Sequence, residues 1–219
     1  MDAFHERLAQ VALRAASSLG FALAGGYAVQ AHGFLTRPSE DIDLFTSAER
    51  TDFGEGVTAI KSAYEQNGIA VRVDVWSDHF ARLWVTDTVS GQSGKVELAA
   101  DIRSKAPVAM NIGPVVHVDD VAGGKTEALF TRAEARDFID IDAIVTSGRF
   151  TRTRLQELAA SRDAGFDLRV LADMLSVIDI YPDAEFLAYG LQDQQIQQMR
   201  ERFAEWRLEL LRQPGPTVA

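Results

Sequence analysis

Apolar residues at Leu8, Val11, Leu13 and Ala15 or Ala16 recur with helical spacing and predict an amphipathic helix over residues 4–18. Phe21-Ala22-Leu23-Ala24 is a short apolar run of strand character, halted by Gly25-Gly26, and a second helix is expected from Tyr27 to Phe34. Pro38 excludes helix at its position. Beyond it, Asp41-Ile42-Asp43-Leu44-Phe45 alternates polar and apolar, the pattern of a half-buried strand. Residues 53–67 have helical spacing and end at Gly68, and strand-like runs follow at 70–75, 80–87 and 95–99. The last two runs flank Ser90-Gly91-Gln92-Ser93-Gly94, a composition suited to a hairpin loop.

After about Val118 the pattern becomes helical, with helices expected over 120–130, 132–146, 154–160, 167–181, 184–189 and 193–211, and a frayed end at Gln213-Pro214-Gly215-Pro216. The expected plan is an α/β domain with a mixed sheet over residues 1–120, then a helical domain over 121–219. In the last helix, Ile196, Met199, Phe203, Trp206 and Leu210 form one apolar side. Such a stripe either belongs to the core or docks a partner, and core is the commoner case.

Composition narrows the function classes. The chain of 219 residues has 47% hydrophobic and 25% charged residues, the balance of a folded globular protein. It has no cysteine, which excludes disulfides and thiolate zinc sites, and its four histidines are scattered. The first residues, Met1-Asp2-Ala3-Phe4-His5-Glu6, do not have the basic-then-apolar order of a signal peptide. No apolar stretch approaches the ~20 residues of a membrane span, so a soluble, cytoplasmic protein is expected. The net charge is −10. Residues 1–120 carry 10 Lys/Arg against 16 Asp/Glu, and residues 121–219 carry 12 against 16. Neither part offers generic attraction to phosphate backbones, and the balance suits a cationic small molecule.

The candidate chemistry begins with Asp41 and Asp43. Residues i and i+2 of a strand share a face, ~6.6 Å apart. Two carboxylates so placed can converge on hard divalent cations that neutralise triphosphate oxygens. Asp-x-Asp alone is weak evidence. Gly25-Gly26 adds to it, because a glycine pair between strand and helix lets backbone approach a ligand and aims helix N–H groups at phosphate. A third carboxylate is expected on a neighbouring strand. Lys95-Val96-Glu97-Leu98-Ala99-Ala100-Asp101 offers Glu97 in mid-strand and Asp101 at its end, on one face.

A second constellation lies between Gly123 and Asp142. Phe138, Ile141 and Val145 form a core stripe, and Asp137 falls toward the buried side. A carboxylate there needs a partner, for which Arg132 and Arg136 are the candidates. Asp140 lies at the stripe's edge, where its side chain could reach a cleft. Lys125 and Asp140 would stand ~22 Å apart on one straight helix. Thr131-Arg132-Ala133-Glu134 reads as a capping box that starts a new helix, and a helical hairpin could then bring the two together. Lys125 would bind triphosphate as a point charge.

Taken in order, Gly25-Gly26-Tyr27-Ala28-Val29, His32-Gly33, Arg37-Pro38-Ser39-Glu40-Asp41-Ile42-Asp43-Leu44-Phe45, Lys125, and Arg132-x-x-x-Arg136-Asp137-x-x-Asp140 resemble the AbiEii nucleotidyltransferase toxins, which include the MenT toxins. The resemblance spans roughly residues 20–145. It implies a polymerase-β-like α/β fold with a helical C-terminal region, a Mg²⁺ (or Mn²⁺) and NTP requirement, and a toxin that adds a nucleotide to RNA, with the tRNA 3′ end as the expected acceptor. By position, Asp41 and Asp43 would hold metal, Lys125 and Arg136 would contact nucleotide, and Asp140 would be an essential acid. Ser39 matches a position where a hydroxyl contacts phosphate, although a turn-forming serine after Pro38 is the plainer reading. A cognate antitoxin is the expected protein partner. Two other functions remain in view: nucleotide transfer to a cationic small molecule such as an aminoglycoside, and nucleotide binding without catalysis.

Overall fold

A computed structural model describes residues 1–50 and 52–212, so the expected frayed end at Gln213–Pro216 lies outside the described residues. By its internal contacts the chain divides into two compact units. The first comprises Met1–Gly33 and Pro38–Val121; the second comprises Phe34–Arg37 and the chain from Ala122 onward.

The first unit is built on a seven-stranded mixed sheet. In chain order its elements are α1 (Ala3–Ala16), β1 (Ala22–Leu23), α2 (Gly25–Ala31), β2 (Asp41–Ser47), α3 (Phe53–Gln66), β3 (Ile69–Trp76), β4 (Phe80–Asp87), β5 (Ser93–Asp101), β6 (Val108–Met110) and β7 (Gly113–Val115). The strands lie in the order β3-β4-β5-β2-β1-β7-β6. β2 runs parallel to β5 and β1 runs parallel to β7, while the remaining neighbours are antiparallel. The fold is therefore the expected α/β class with a mixed sheet.

Alternation along the strands sets the two faces of this sheet. Ile42, Leu44, Ala81, Leu83, Val85, Val96 and Leu98 are fully buried on one face. A Cβ placed on Gly94, which belongs to that face, would touch Phe4, His5 and Leu8 of α1. Val57, Ile60 and Tyr64 of α3 are also fully buried, and the Tyr64 hydroxyl donates to the Leu8 carbonyl at 3.1 Å. The opposite face carries Asp41, Asp43, Arg82, Trp84, Lys95 and Glu97, whose parity follows from the register.

Asp87 closes the β4–β5 hairpin by accepting from the backbone N–H groups of Val89 and Ser90 at 2.9 and 2.7 Å. The short strands β6 and β7, three residues each, were not expected from the sequence, because neither is long enough to show a period.

The second unit is helical. α4 (Val118–Thr131) enters it, followed by α5 (Ala135–Thr146), α6 (Arg152–Ala160), α7 (Leu168–Leu175), α8 (Asp183–Leu187) and α9 (Asp193–Arg212). A 3₁₀ turn at Ser176–Asp179 breaks the continuous helix expected over 167–181. Gly123 and Gly124 lie inside α4. A Cβ on Gly123 would stand 2.9 Å from the Arg162 side chain and 3.3 Å from that of Leu158, so the glycine permits the end of α6 to pack closely.

The apolar side of α9 is core: Ile196, Met199, Phe203, Trp206 and Leu210 are all at most 3% exposed. Phe138 meets Phe203 edge-on at 5.1 Å between ring centroids. Among the described residues no helix is long and apolar enough to cross a membrane.

Candidate active site

In the first unit, β2 and β5 pair in register, with Asp41 opposite Lys95, Asp43 opposite Glu97 and Ser47 opposite Asp101. The structure thus brings Glu97 beside the aspartate pair. Asp101 lies two alternations further along the strand, ~13 Å from Glu97, and its carboxylate accepts from the Ile102 backbone N–H at 2.8 Å.

Asp41 is buried and Asp43 half-buried. Gly25, at φ +57°, approaches Asp43 so closely that a Cβ there would fall 1.7 Å from Oδ2. That approach requires glycine both for its left-handed backbone and for its missing side chain. The glycine pair therefore makes the first turn of α2 (its Gly26 buried) and fixes where the Asp43 carboxylate stands. Ser39 is half-buried, its hydroxyl 3.5 Å from the Asp41 carbonyl, while its own carbonyl accepts from the Tyr27 hydroxyl at 3.3 Å.

Lys95 was not singled out in the sequence. Its Nζ lies 2.9 Å from Asp41 Oδ2 and 3.2 Å from Glu97 Oε1, and Arg82 Nε donates to the same Glu97 oxygen at 2.9 Å. Burial alone would make the Lys95 ammonium easier to deprotonate, but its hydrogen bonds and attraction to Asp41 and Glu97 outweigh this and hold it above the ordinary lysine value. The signal available in the sequence was its position two residues before Glu97, on the same strand face.

Among the described residues no three His, Cys, Asp or Glu side chains are gathered as a metal site. Mg²⁺, however, is commonly held by one or two carboxylates, with phosphate oxygens and water completing its shell. Asp41 and Asp43, hard oxygen donors on one face with the Gly25 backbone against them, fit that demand.

In the second unit, the break between α4 and α5 brings Lys125 to Asp140, with Nζ 2.8 Å from Oδ2. Asp140 does not reach an open cleft, as its place at the edge of the stripe suggested. It is 0% exposed, clamped also by Arg37, whose Nε and guanidinium nitrogen donate to its two carboxylate oxygens at 2.7 Å each. Burial pushes the Asp140 carboxyl upward, but the charge of Lys125 and the hydrogen bond and charge of Arg37 prevail and hold it below the usual carboxylate range.

Arg37 is itself buried and stands over the Tyr189 ring at 5.5 Å, in the wall of a cavity of about 440 Å³ within this unit. Sequence reasoning gave Arg37 no role, since its partner is 103 residues away.

The α5 cap also differs from expectation. Glu134, not Thr131, is the N-cap, and the capping box closes between Glu134 and Asp137. Ala133, buried at φ 49°, turns the chain there, so the helix starts three residues later than a Thr131 cap would set it. Asp137 is paired as expected, with Arg132 donating to both carboxylate oxygens at 2.9 and 3.0 Å. Arg136 bonds Glu134 at 2.8 Å.

The family model described as "Nucleotidyl transferase AbiEii toxin, Type IV TA system" matches residues 7–214. The chain belongs to the AbiEii family. It is thus a nucleotidyltransferase toxin of a type IV toxin–antitoxin system, for which a nucleotide substrate and an antitoxin are implied. No curated protein sequence matches it.

Solved structures share the fold of this AbiEii protein. JHP933 from Helicobacter pylori has a TM-score of 0.59 at 17% identity, covering 94% of this chain and 90% of that one. MenT4, a nucleotidyltransferase toxin from Mycobacterium tuberculosis H37Rv, has a TM-score of 0.55 at 16% identity, covering 94% of this chain and 83% of that one.

Proposed function

We propose that this toxin acts in the cytoplasm and transfers a nucleotide from Mg²⁺–NTP, with Mn²⁺ as a substitute ion, to an RNA acceptor, the tRNA 3′ end. The observation that carries the reading is the pair Asp41 and Asp43 on one strand face, with Gly25 packed against Asp43 and Glu97 in register beside it.

In this reading Asp41 and Asp43 hold the metal, and Glu97, opposite Asp43 in the register, is the candidate for a third carboxylate drawn in when the ion binds. The ion, when bound, neutralises phosphate charge and aligns the reacting groups. Gly25 and Gly26 keep the Asp43 carboxylate in place. Lys125 contacts the triphosphate, since an ammonium carries three N–H donors and Asp140 accepts from one of them. Asp140 acts as a positioning residue through Lys125 and Arg37. Arg136 and Ser39 stand near these groups in sequence and are secondary candidates for nucleotide contact. The acceptor hydroxyl oxygen bonds to the α-phosphorus, the bond to the β-phosphate oxygen breaks, pyrophosphate leaves with the electron pair, and the hydroxyl proton passes to solvent. Catalysis rests mainly on positioning and charge neutralisation.

A second reading, transfer to a cationic small molecule, is favoured by the net charge of −10. The two separate in one assay: the protein is incubated with Mg²⁺, each α-³²P-labelled NTP, and either total RNA or an aminoglycoside panel. A labelled tRNA-sized band is expected. Label on the antibiotic and none on RNA would replace the RNA reading.

A further inference from the structure

Lys95 has no part in the transfer described above, yet it stands within the acidic cluster. Asp41, Asp43 and Glu97 occupy two register pairs of β2 and β5 that follow each other on one face, separated by Ile42 and Val96 on the other, and Lys95 completes the first of those pairs. Its ammonium bridges Asp41 and Glu97 at 2.9 and 3.2 Å, with the Lys95 side chain 24% and that of Asp41 10% exposed. Arg82 meets Glu97 at 2.9 Å and Asp74 at 3.9 Å. Lys95 thus places a cation directly on Asp41.

A divalent ion coordinated by Asp41 at ~2.1 Å would share a carboxylate with this ammonium. At such range, in a partly buried site, like charges repel more strongly than in bulk solvent. The ammonium and the ion cannot both use Asp41 at full strength.

We propose that Lys95 is a resident counter-ion which holds Asp41 and Glu97 together and which a divalent metal must displace from Asp41, so that this lysine sets the metal affinity of the site. The proposal rests on the reading of Asp41 and Asp43 as metal ligands. A four-carbon stem with several rotatable bonds lets the ammonium swing away without moving β5. While no nucleotide is present the ammonium keeps the two carboxylates bridged, and free metal binds weakly until triphosphate oxygens add their own charge.

The test is Mn²⁺ binding measured by electron paramagnetic resonance, without NTP or acceptor, on the full chain. Lys95→Met is expected to bind Mn²⁺ at least ten-fold more tightly than wild type. Its melting temperature should start below that of wild type and rise more on adding Mn²⁺. Lys95→Arg keeps the charge and should bind as wild type does. Arg72→Met, which removes the same charge from a more exposed position on β3, should also leave affinity unchanged. Asp41→Asn in the Lys95→Met background should abolish the gain.

Equal or weaker Mn²⁺ binding by Lys95→Met would overturn the proposal, as would an equal gain in Arg72→Met or no binding by any variant. Tight binding as predicted, from a protein that labels no acceptor, would retire the transfer reading and leave the Lys95 assignment standing.

Discussion

Arg37 and Asp140, 103 residues apart, meet through two parallel hydrogen bonds of 2.7 Å, with side chains only 4% and 1% exposed. Lys125 adds a third contact to the same carboxylate. Removing one member of a buried charge group leaves the others desolvated and uncompensated, at a cost of about 3–5 kcal/mol. Asp140→Ala strands two cations and should lower the unfolding free energy by about that much in a denaturant titration. A loss below about 1 kcal/mol, the scale of an exposed pair, would show that the cluster is solvated and contributes little.

The same carboxylate gives stability a pH dependence. Asp140 in the folded protein lies below the ordinary carboxylate value because Lys125 and Arg37 outweigh its burial. A group depressed in this way adds stability above its unfolded value, about 4, and loses it as the pH falls through the folded one. Wild-type unfolding free energy should therefore fall below about pH 4 more steeply than that of Asp140→Asn, measured by urea titration at each pH. Parallel profiles would remove Asp140 as the source.

Gly25→Ala tests the glycine against which Asp43 rests. The added Cβ would fall 1.7 Å from Asp43 Oδ2, at a residue with φ +57°. The backbone conformation alone costs an L-residue about 1–2 kcal/mol, and the carboxylate must move. Nucleotide transfer should drop by about 100-fold or more, the scale of a 1 Å misplacement, with a far-UV circular dichroism spectrum like that of wild type. Wild-type activity in this variant would separate Gly25 from the function of Asp43.

These features were unequally legible in the sequence. The Asp41-to-Phe45 alternation carries its own period and stands as a strand, and the hairpin forms as predicted, although Ser93 and Gly94 of the expected loop pair with Thr86 and Val85 as the start of β5. The approach of Lys125 to Asp140 was also legible, because Lys125 precedes a helix break. The kind of break was not: Ala133 in a left-handed conformation moved the cap to Glu134, and no composition rule favours alanine there. Arg37 and Lys95 were given no role for a different reason. Each is defined by a partner on another element, and pairing across the fold leaves no local pattern. Glu97 and Asp101 share a strand face, so only the register with β2 separates them.

Asp137 supports the start of α5 by accepting from the Glu134 backbone N–H at 3.1 Å as well as from Arg132. Asp137→Ala should cost about 1–2 kcal/mol in thermal or chemical unfolding, the size of a lost cap, because Arg132 retains 45% exposure and can return to water. An unchanged stability would mean that α5 starts without this box.

Nucleotidyl transfer in the proposed reaction depends first on Asp41 and Asp43. The most direct measurement is the single-turnover rate of label transfer from α-³²P-NTP to RNA by wild type, Asp41→Asn and Asp43→Asn at saturating Mg²⁺. These nearly isosteric changes remove one charge each, and the rate should fall about 10³-fold or more, corresponding to several kcal/mol of lost charge stabilisation, with the melting temperature nearly kept. Full transfer activity in a folded Asp41→Asn protein would contradict the account.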